Sequence, residues 1–290
     1  MASRRNVIRN IVAGAAGITT IAGAKKVYAG MNEAAPLKGN INHSVCRWTY
    51  GHLSLDELCV VAKEIGLKAI DLVGPKEWHI LKKHGLDSSM CNGAEINLVD
   101  GWNNKDNHQK LVQNYTEHIE LVSKAGYKNL IWFTGNRRGM DDETGMRNTV
   151  EGIKKIVGLA EKKGVVLQLE LFNSKVDHKD YMADKSAWGV EMCKRIGSEN
   201  VKLLYDIYHM QINEGDVIRT IRDNHQYFGH YHTAGVPGRH EIDETQELYY
   251  PAIMEAIVKT GFKGYVAQEF IPTASDKIAV LKDAVRRCDV

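Results

Sequence analysis

From residue 41 onward, short apolar runs alternate with longer stretches in which apolar residues recur every three or four positions. The first pattern is that of a buried strand, the second that of an amphipathic helix. Eight strand–helix units can be counted. Strands are predicted at 41–48, 68–73, 89–97, 129–134, 165–172, 201–207, 227–233 and 263–270. Helices are predicted from Ser54 onward and at 76–84, 106–125, 144–163, 185–196, 216–223, 250–260 and 275–288. Ser54 with Glu57 three residues on forms a capping box. Within 106–125, Leu111, Tyr115, Ile119 and Val122 keep the helical spacing. Gly66, Gly126, Gly164, Gly197 and Gly261 stand where a helix must turn into the next strand, a place glycine favours.

Strict alternation of strand and helix predicts a parallel sheet covered by helices. Eight units over residues 40–290 predict a closed (β/α)8 TIM barrel of the α/β class, in one domain. Neither a GxGxxG fingerprint nor a GxxxxGK[ST] loop occurs, so an open nucleotide-binding sheet has no motif behind it.

Ahead of the barrel, residues 1–30 have the parts of an export signal and 31–39 read as a linker. Arg4, Arg5 and Arg9 precede an uncharged run at 10–24 that ends in small residues, and the paired arginines resemble the twin-arginine type. The run is about 15 residues long, short of the ~20 needed to span a bilayer. Cleavage after Ala24 would move the net charge from +2 to −1, so the slight basicity belongs to the leader and gives no reason to expect a nucleic-acid partner. The expected mature protein is extracytoplasmic and without stable membrane insertion. Cys46, Cys59, Cys91, Cys193 and Cys288 are widely spaced and odd in number, which fits buried small hydrophobes better than a disulfide framework or zinc ribbon.

The candidate chemistry lies at the strand ends. In such a barrel the C-terminal ends of the strands surround the mouth, where reactions occur. The last four strands end in Glu170, Asp206, His232 and Glu269. Alternation along the fifth strand puts Gln168 and Glu170 inside the barrel and Leu167, Leu169 and Leu171 outside. A buried carboxylate without a counter-charge is expensive. Three of them with one imidazole suit a divalent ion, Mg²⁺ or Mn²⁺. His230, one layer deeper, reads as a core histidine. An ion held here would polarise a carbonyl, and Glu170 and Glu269, flanking it, suit the base and acid of a proton transfer beside that carbonyl. His209 and Arg239 are candidate substrate contacts; an ion pair of Arg239 with Glu241 or Asp243 is the alternative. His43, Trp48, Glu95, Asn97 and Trp102 are candidate wall residues. A phosphodiester-cleaving site would need several zinc ions, more histidines and a basic mouth.

The segment His230-Tyr231-His232-Thr233-Ala234-Gly235-Val236-Pro237-Gly238-Arg239-His240-Glu241, followed by Tyr250-Pro251, resembles the strand-seven signature of hydroxypyruvate isomerases. Those belong to the xylose isomerase-like barrel superfamily, with ketose 3-epimerases, inosose dehydratases and apurinic-site endonucleases. The resemblance runs loosely from Ile41 to Val285 and is sharp in the motifs of strands five to eight. It implies an isomerase turning hydroxypyruvate into tartronate semialdehyde, with Glu170 and Glu269 as the catalytic pair. It implies Asp206 and His232 as further metal ligands, and His209 and Arg239 at a small sugar or keto-acid substrate. Where those isomerases carry Gln this chain has His232, as the epimerases do. A ketose 3-epimerase or keto-sugar lyase on the same residues is therefore the alternative, and an exported carbohydrate-binding barrel without turnover a further one.

Overall fold

The computed structural model describes residues 36–290; the predicted export signal and the first part of the linker lie outside the described residues. The eight strands are β1 Asn42–Cys46, β2 Ala69–Val73, β3 Asp87–Cys91, β4 Asn129–Trp132, β5 Val166–Glu170, β6 Val201–Asp206, β7 Phe228–Thr233 and β8 Tyr265–Gln268. They close in sequence order into a parallel barrel, β8 pairing with β1. Outside it run α1 Leu55–Ile65, α2 Trp78–His84, α3 His108–Ala125, α4 Asp142–Ile153, α5 Val157–Lys163, α6 Ser186–Ile196, α7 Ile207–Asn213, α8 Val217–Asn224, α9 Tyr250–Lys259 and α10 Lys277–Arg287.

Local rules set these boundaries. The capping box forms at α1, Ser54 N donating to Glu57 Oε2 at 2.8 Å and Glu57 N to Ser54 Oγ at 3.2 Å, a device worth about 1 kcal/mol. Gly66, Gly126, Gly164 and Gly197 close α1, α3, α5 and α6 with left-handed φ. On β5, Leu167 and Leu169 are fully buried and Leu171 packs at Gly189 of α6, each such side chain contributing about 1.5–3 kcal/mol through burial. All five cysteines are buried and unpaired, as small hydrophobes.

Three expectations need correction. The predicted helix 144–163 is two helices, α4 and α5. Between them Lys155 N bonds Gly152 O and Ile156 N bonds Ile153 O, the tighter three-residue spacing that ends an α-helical turn. The apolar period runs on across this break because Ile153 and Ile156 are both buried. The third strand starts earlier than predicted and stops at Cys91, leaving residues 92–97 as a loop at the mouth. After β6, where no helix is predicted before residue 216, the chain forms α7 at once, because the Asp206 side chain caps it by accepting from Tyr208 N at 2.8 Å and His209 N at 3.3 Å.

Candidate metal centre at the barrel mouth

The register of β5 to β8 brings four strand ends to one height. Glu170 is the last residue of β5 and Asp206 the last of β6. Asp206 pairs in register with His232, and Thr233 with Gln268, so Glu269 follows one step beyond β8. Ligand atoms of Glu170, Asp206, His232 and Glu269 all lie within 4.8 Å of one another, and all four residues are buried. The alternation argument therefore holds: these side chains converge inside the barrel.

Several of these groups are tethered on one side and open on the other. Asp206 Oδ1 is occupied by the α7 cap, while Oδ2 faces Arg239 Nη2 at 3.5 Å. Glu269 Oε1 accepts from the Trp48 indole at 2.9 Å, and its Oε2 accepts from Arg239. His232 Nδ1 lies 2.9 Å from Glu269 Oε2 and 3.2 Å from Glu170 Oε1. Yet both His232 Nδ1 and Glu170 Oε1 are buried without a hydrogen-bond partner. Buried acceptor atoms that converge without hydrogen-bond partners are what a divalent cation would satisfy.

Charge agrees with that fit. Among the described residues, Glu170, Asp206 and Glu269 face one guanidinium, Arg239, and one imidazole, His232, which burial pushes toward neutrality but the charge of Glu269 holds well above the usual histidine range. Burial, then the charge of Glu269, raises Glu170 to about 7. Burial also raises Asp206 to about 8, with Arg239 pulling the other way. Burial pushes Glu269 up as well, but Arg239 and His232 outweigh it and hold this carboxyl well below its usual range. The cluster is short of positive charge, and Glu170, Asp206, His232 and Glu269 would hold a divalent ion.

Beside the cluster opens a cavity of about 390 Å³, the size of a small-molecule site. Leu72, Ile131, Phe133 and Phe172 give it apolar walls, and Trp48, Glu95 and Asn97 line it as expected. Two other wall candidates do not. His43 sits fully buried 3.6 Å from Asp289. Trp102 is core, packed on Tyr115 and His108 beneath Gly152, where a Cβ would come within 2.6 Å of the indole. Among the described residues, Arg239 is the one Lys or Arg on the lining. It pairs with Glu269 and Asp206, not with Glu241 or Asp243: Glu241 accepts from Thr273 N at 2.6 Å and Asp243 from Thr245 N at 2.9 Å.

His209, a candidate substrate contact, lies beside the cluster and behind the cavity wall. It is fully buried on α7, with Nε2 3.6 Å from Asp206 Oδ2, and the histidine on the cavity wall is His178. Asn173 Oδ1 accepts from Val176 N and Asp177 N, which turns its Nδ2 to donate to His209 Nδ1 at 2.7 Å. The His209 hydrogen is thereby left on Nε2, toward Asp206.

Two contributors escaped the sequence reading. Trp48 was taken as wall, but its bond to Glu269 was not foreseen. Asp71, in the middle of β2, is fully buried and receives His232 Nε2 at 3.0 Å. Its signal was present: an acid inside the apolar run Ala69-Ile70-Asp71-Leu72-Val73 must have buried partners.

Comparison with known proteins follows the same lines. A family model described as Xylose isomerase-like TIM barrel matches residues 60–287. A 2-oxo-tetronate isomerase of Cupriavidus necator is 34% identical over 125 residues, 43% of this chain and 47% of that protein. A D-psicose 3-epimerase of Ruminiclostridium cellulolyticum is 29% identical over 159 residues, 53% of this chain and 50% of that protein. The alignments thus span about half the length of these relatives. Among solved structures, an AP endonuclease, family 2, from Brucella melitensis superposes with a TM-score of 0.73 at 21% identity, over 84% of this chain and 97% of that one; at this identity the likeness is one of fold.

Proposed function

Because this chain belongs to the xylose isomerase-like TIM barrel family, we propose that it is an isomerase or epimerase that holds one divalent cation, Mg²⁺ or Mn²⁺, and moves a proton beside the carbonyl of a small sugar or keto acid. One observation carries the reading: three buried carboxylates and an imidazole converge within 4.8 Å with unbonded lone pairs among them. When bound, the ion would act as a Lewis acid on the carbonyl and its neighbouring hydroxyl.

The chain's own residues do the rest. Glu170 and Glu269 approach from β5 and β8 and serve as the base that removes the proton and the acid that returns it. The Trp48 indole fixes the aim of Glu269 through Oε1. Arg239, held between the faces of Trp48 and Tyr208 at 5.2 and 5.5 Å, grips substrate oxygens, and the apolar cavity wall keeps water from the reacting carbon.

The resemblance of residues 230–241 supports a hydroxypyruvate-type substrate. A ketose 3-epimerase or keto-sugar lyase is the second reading, favoured by His232 and by a cavity roomier than a three-carbon acid requires. The test is solvent-deuterium wash-in: Mn²⁺- or Mg²⁺-loaded protein in D₂O with hydroxypyruvate or with neutral ketoses. Deuterium at the carbon beside the carbonyl, lost in Glu170→Gln, is the expected result, and the substrate that exchanges separates the two readings. Binding without exchange in any of them would leave a carbohydrate-binding barrel instead. In the same reading residues 1–30 direct twin-arginine export, so changing Arg4 and Arg5 together to Lys should retain the protein in the cytoplasm of a fractionated host. No helix among the described residues is long and apolar enough to cross a membrane.

A further inference from the structure

We propose that Asp71 is a positioning residue: it fixes the tautomer and aim of His232, and with them the grip of the mouth on its cation. The inference rests on the reading that Glu170, Asp206, His232 and Glu269 hold a divalent ion. It adds a residue from the opposite arc of the barrel, on β2.

The geometry is specific. The two ring nitrogens of His232 face different surroundings. Nε2 is hydrogen-bonded to Asp71 Oδ1 at 3.0 Å, whereas Nδ1 points among the carboxylates of the mouth, 2.9 Å from Glu269 Oε2 and 3.2 Å from Glu170 Oε1, in an orientation that makes no hydrogen bond to either. A neutral imidazole carries one hydrogen, and a carboxylate only accepts. With a cation held at the mouth, Asp71 claims the one hydrogen for Nε2 and leaves the Nδ1 lone pair for the ion, an arrangement that orients metal-binding histidines and raises their basicity.

Asp71 is itself held from several sides. Ser89 Oγ donates to Oδ2 at 2.6 Å and Cys46 Sγ to Oδ1 at 3.5 Å. His230 Nε2, two residues before His232 on β7, lies 2.9 Å from Oδ2. The backbone beside it is unusual too. The register with β3 shifts on both sides of Asp71, and Leu72 takes φ 57°, a left-handed value rare for a side chain that large. That irregularity leaves Leu72 on the cavity wall and Asp71 beneath the mouth. Cys46, Asp71 and His232 Nε2 also approach one another closely enough to be weighed as ligands. Nε2 and Asp71 Oδ1, however, meet at 3.0 Å with the orientation of a hydrogen bond.

Two measurements test the inference. In Mg²⁺-saturated wild-type protein with ¹⁵N-labelled histidine, long-range ¹H–¹⁵N correlation should show the His232 proton on Nε2, the signal being assigned by its loss in His232→Gln. A proton on Nδ1 would overturn the proposal, as would a second bound equivalent of Zn²⁺ that disappears in Cys46→Ser. In calorimetric titration with Mn²⁺, the isosteric Asp71→Asn should weaken binding about 10–100-fold while the metal-free variant melts within a few degrees of wild type. Unchanged Mn²⁺ affinity in Asp71→Asn sinks the positioning role alone. Wild-type protein that takes up no Mn²⁺ sinks the metal reading and this inference with it. Should Asp71→Asn not fold, the wild-type tautomer still decides.

Discussion

The two arcs of the barrel are built alike and used differently. β1 to β4 end in Cys46, Val73, Cys91 and Trp132, whereas β5 and β6 end in Glu170 and Asp206 and the next two strands supply His232 and Glu269. The first arc contributes Trp48, Leu72, Glu95, Asn97 and Ile131 to the cavity wall, while the second arc carries the cluster of candidate ligands. From the first arc, Trp48 bonds Glu269 and Asp71 bonds His232, so both reach the cluster directly. The difference teaches that candidate ligands and cavity wall come from different strands of one barrel and meet through those two bonds.

The comparison breaks most easily at the acids. Glu170→Gln or Glu269→Gln should lower kcat about 10²–10⁴-fold. Glu95→Gln or Asn97→Ala should raise KM with little change in kcat. Steady-state kinetics checks both, and equal kcat losses from the two arcs would erase the division.

A first-arc residue with a stability role comes next. His43 on β1 is lowered from 6.5 to about 4, by burial first and against the pull of Asp289. The unfolded chain binds this proton near pH 6.5 and the folded chain only near 4, so stability is complete above 6.5 and falls as the pH drops through that window. The loss should be about 2 kcal/mol between denaturant melts at pH 7 and at pH 4.5. His43→Gln should flatten that slope and leave kcat at pH 7 unchanged.

Cation binding should sharpen the second arc. At about one hundred times its Kd, Mn²⁺ would stabilise the fold by about 2.7 kcal/mol, a rise in Tm of roughly 5–10 °C for a domain of this size. Calorimetric scans with Mn²⁺ and with chelator would show it, and Glu170→Gln should lose most of the rise. The smallest effect is expected at the lesser link. Trp48→Phe removes one hydrogen bond to Glu269, about 1 kcal/mol, and should lower kcat about fivefold without altering Mn²⁺ stoichiometry.

Much of this was legible in the chain as text. The eightfold beat is a local property, because a period of two or of 3.6 residues can be read wherever one face is buried. Strand ends in Glu170, Asp206, His232 and Glu269 became a site as soon as the barrel was assumed, since parallel strands present their C-terminal ends on one side. The split of 144–163 was not legible, because the apolar spacing continues through the turn at Lys154–Ile156. Nor was the burial of His209, which depends on Asp206 capping α7.

By itself, then, the sequence determined which strands form, in what order, and which four ligand types crown the second arc. Only the tertiary structure decided which partners those ligands have. Asp71 and His232 stand 161 residues apart, Trp48 and Glu269 221. The choice of Arg239 for Glu269 and Asp206 over its neighbour Glu241 likewise depends on how the loop after β7 closes over the mouth. The physical reason is one of range: a side chain's face follows from its own strand, but its buried partner is fixed by closure of the whole barrel.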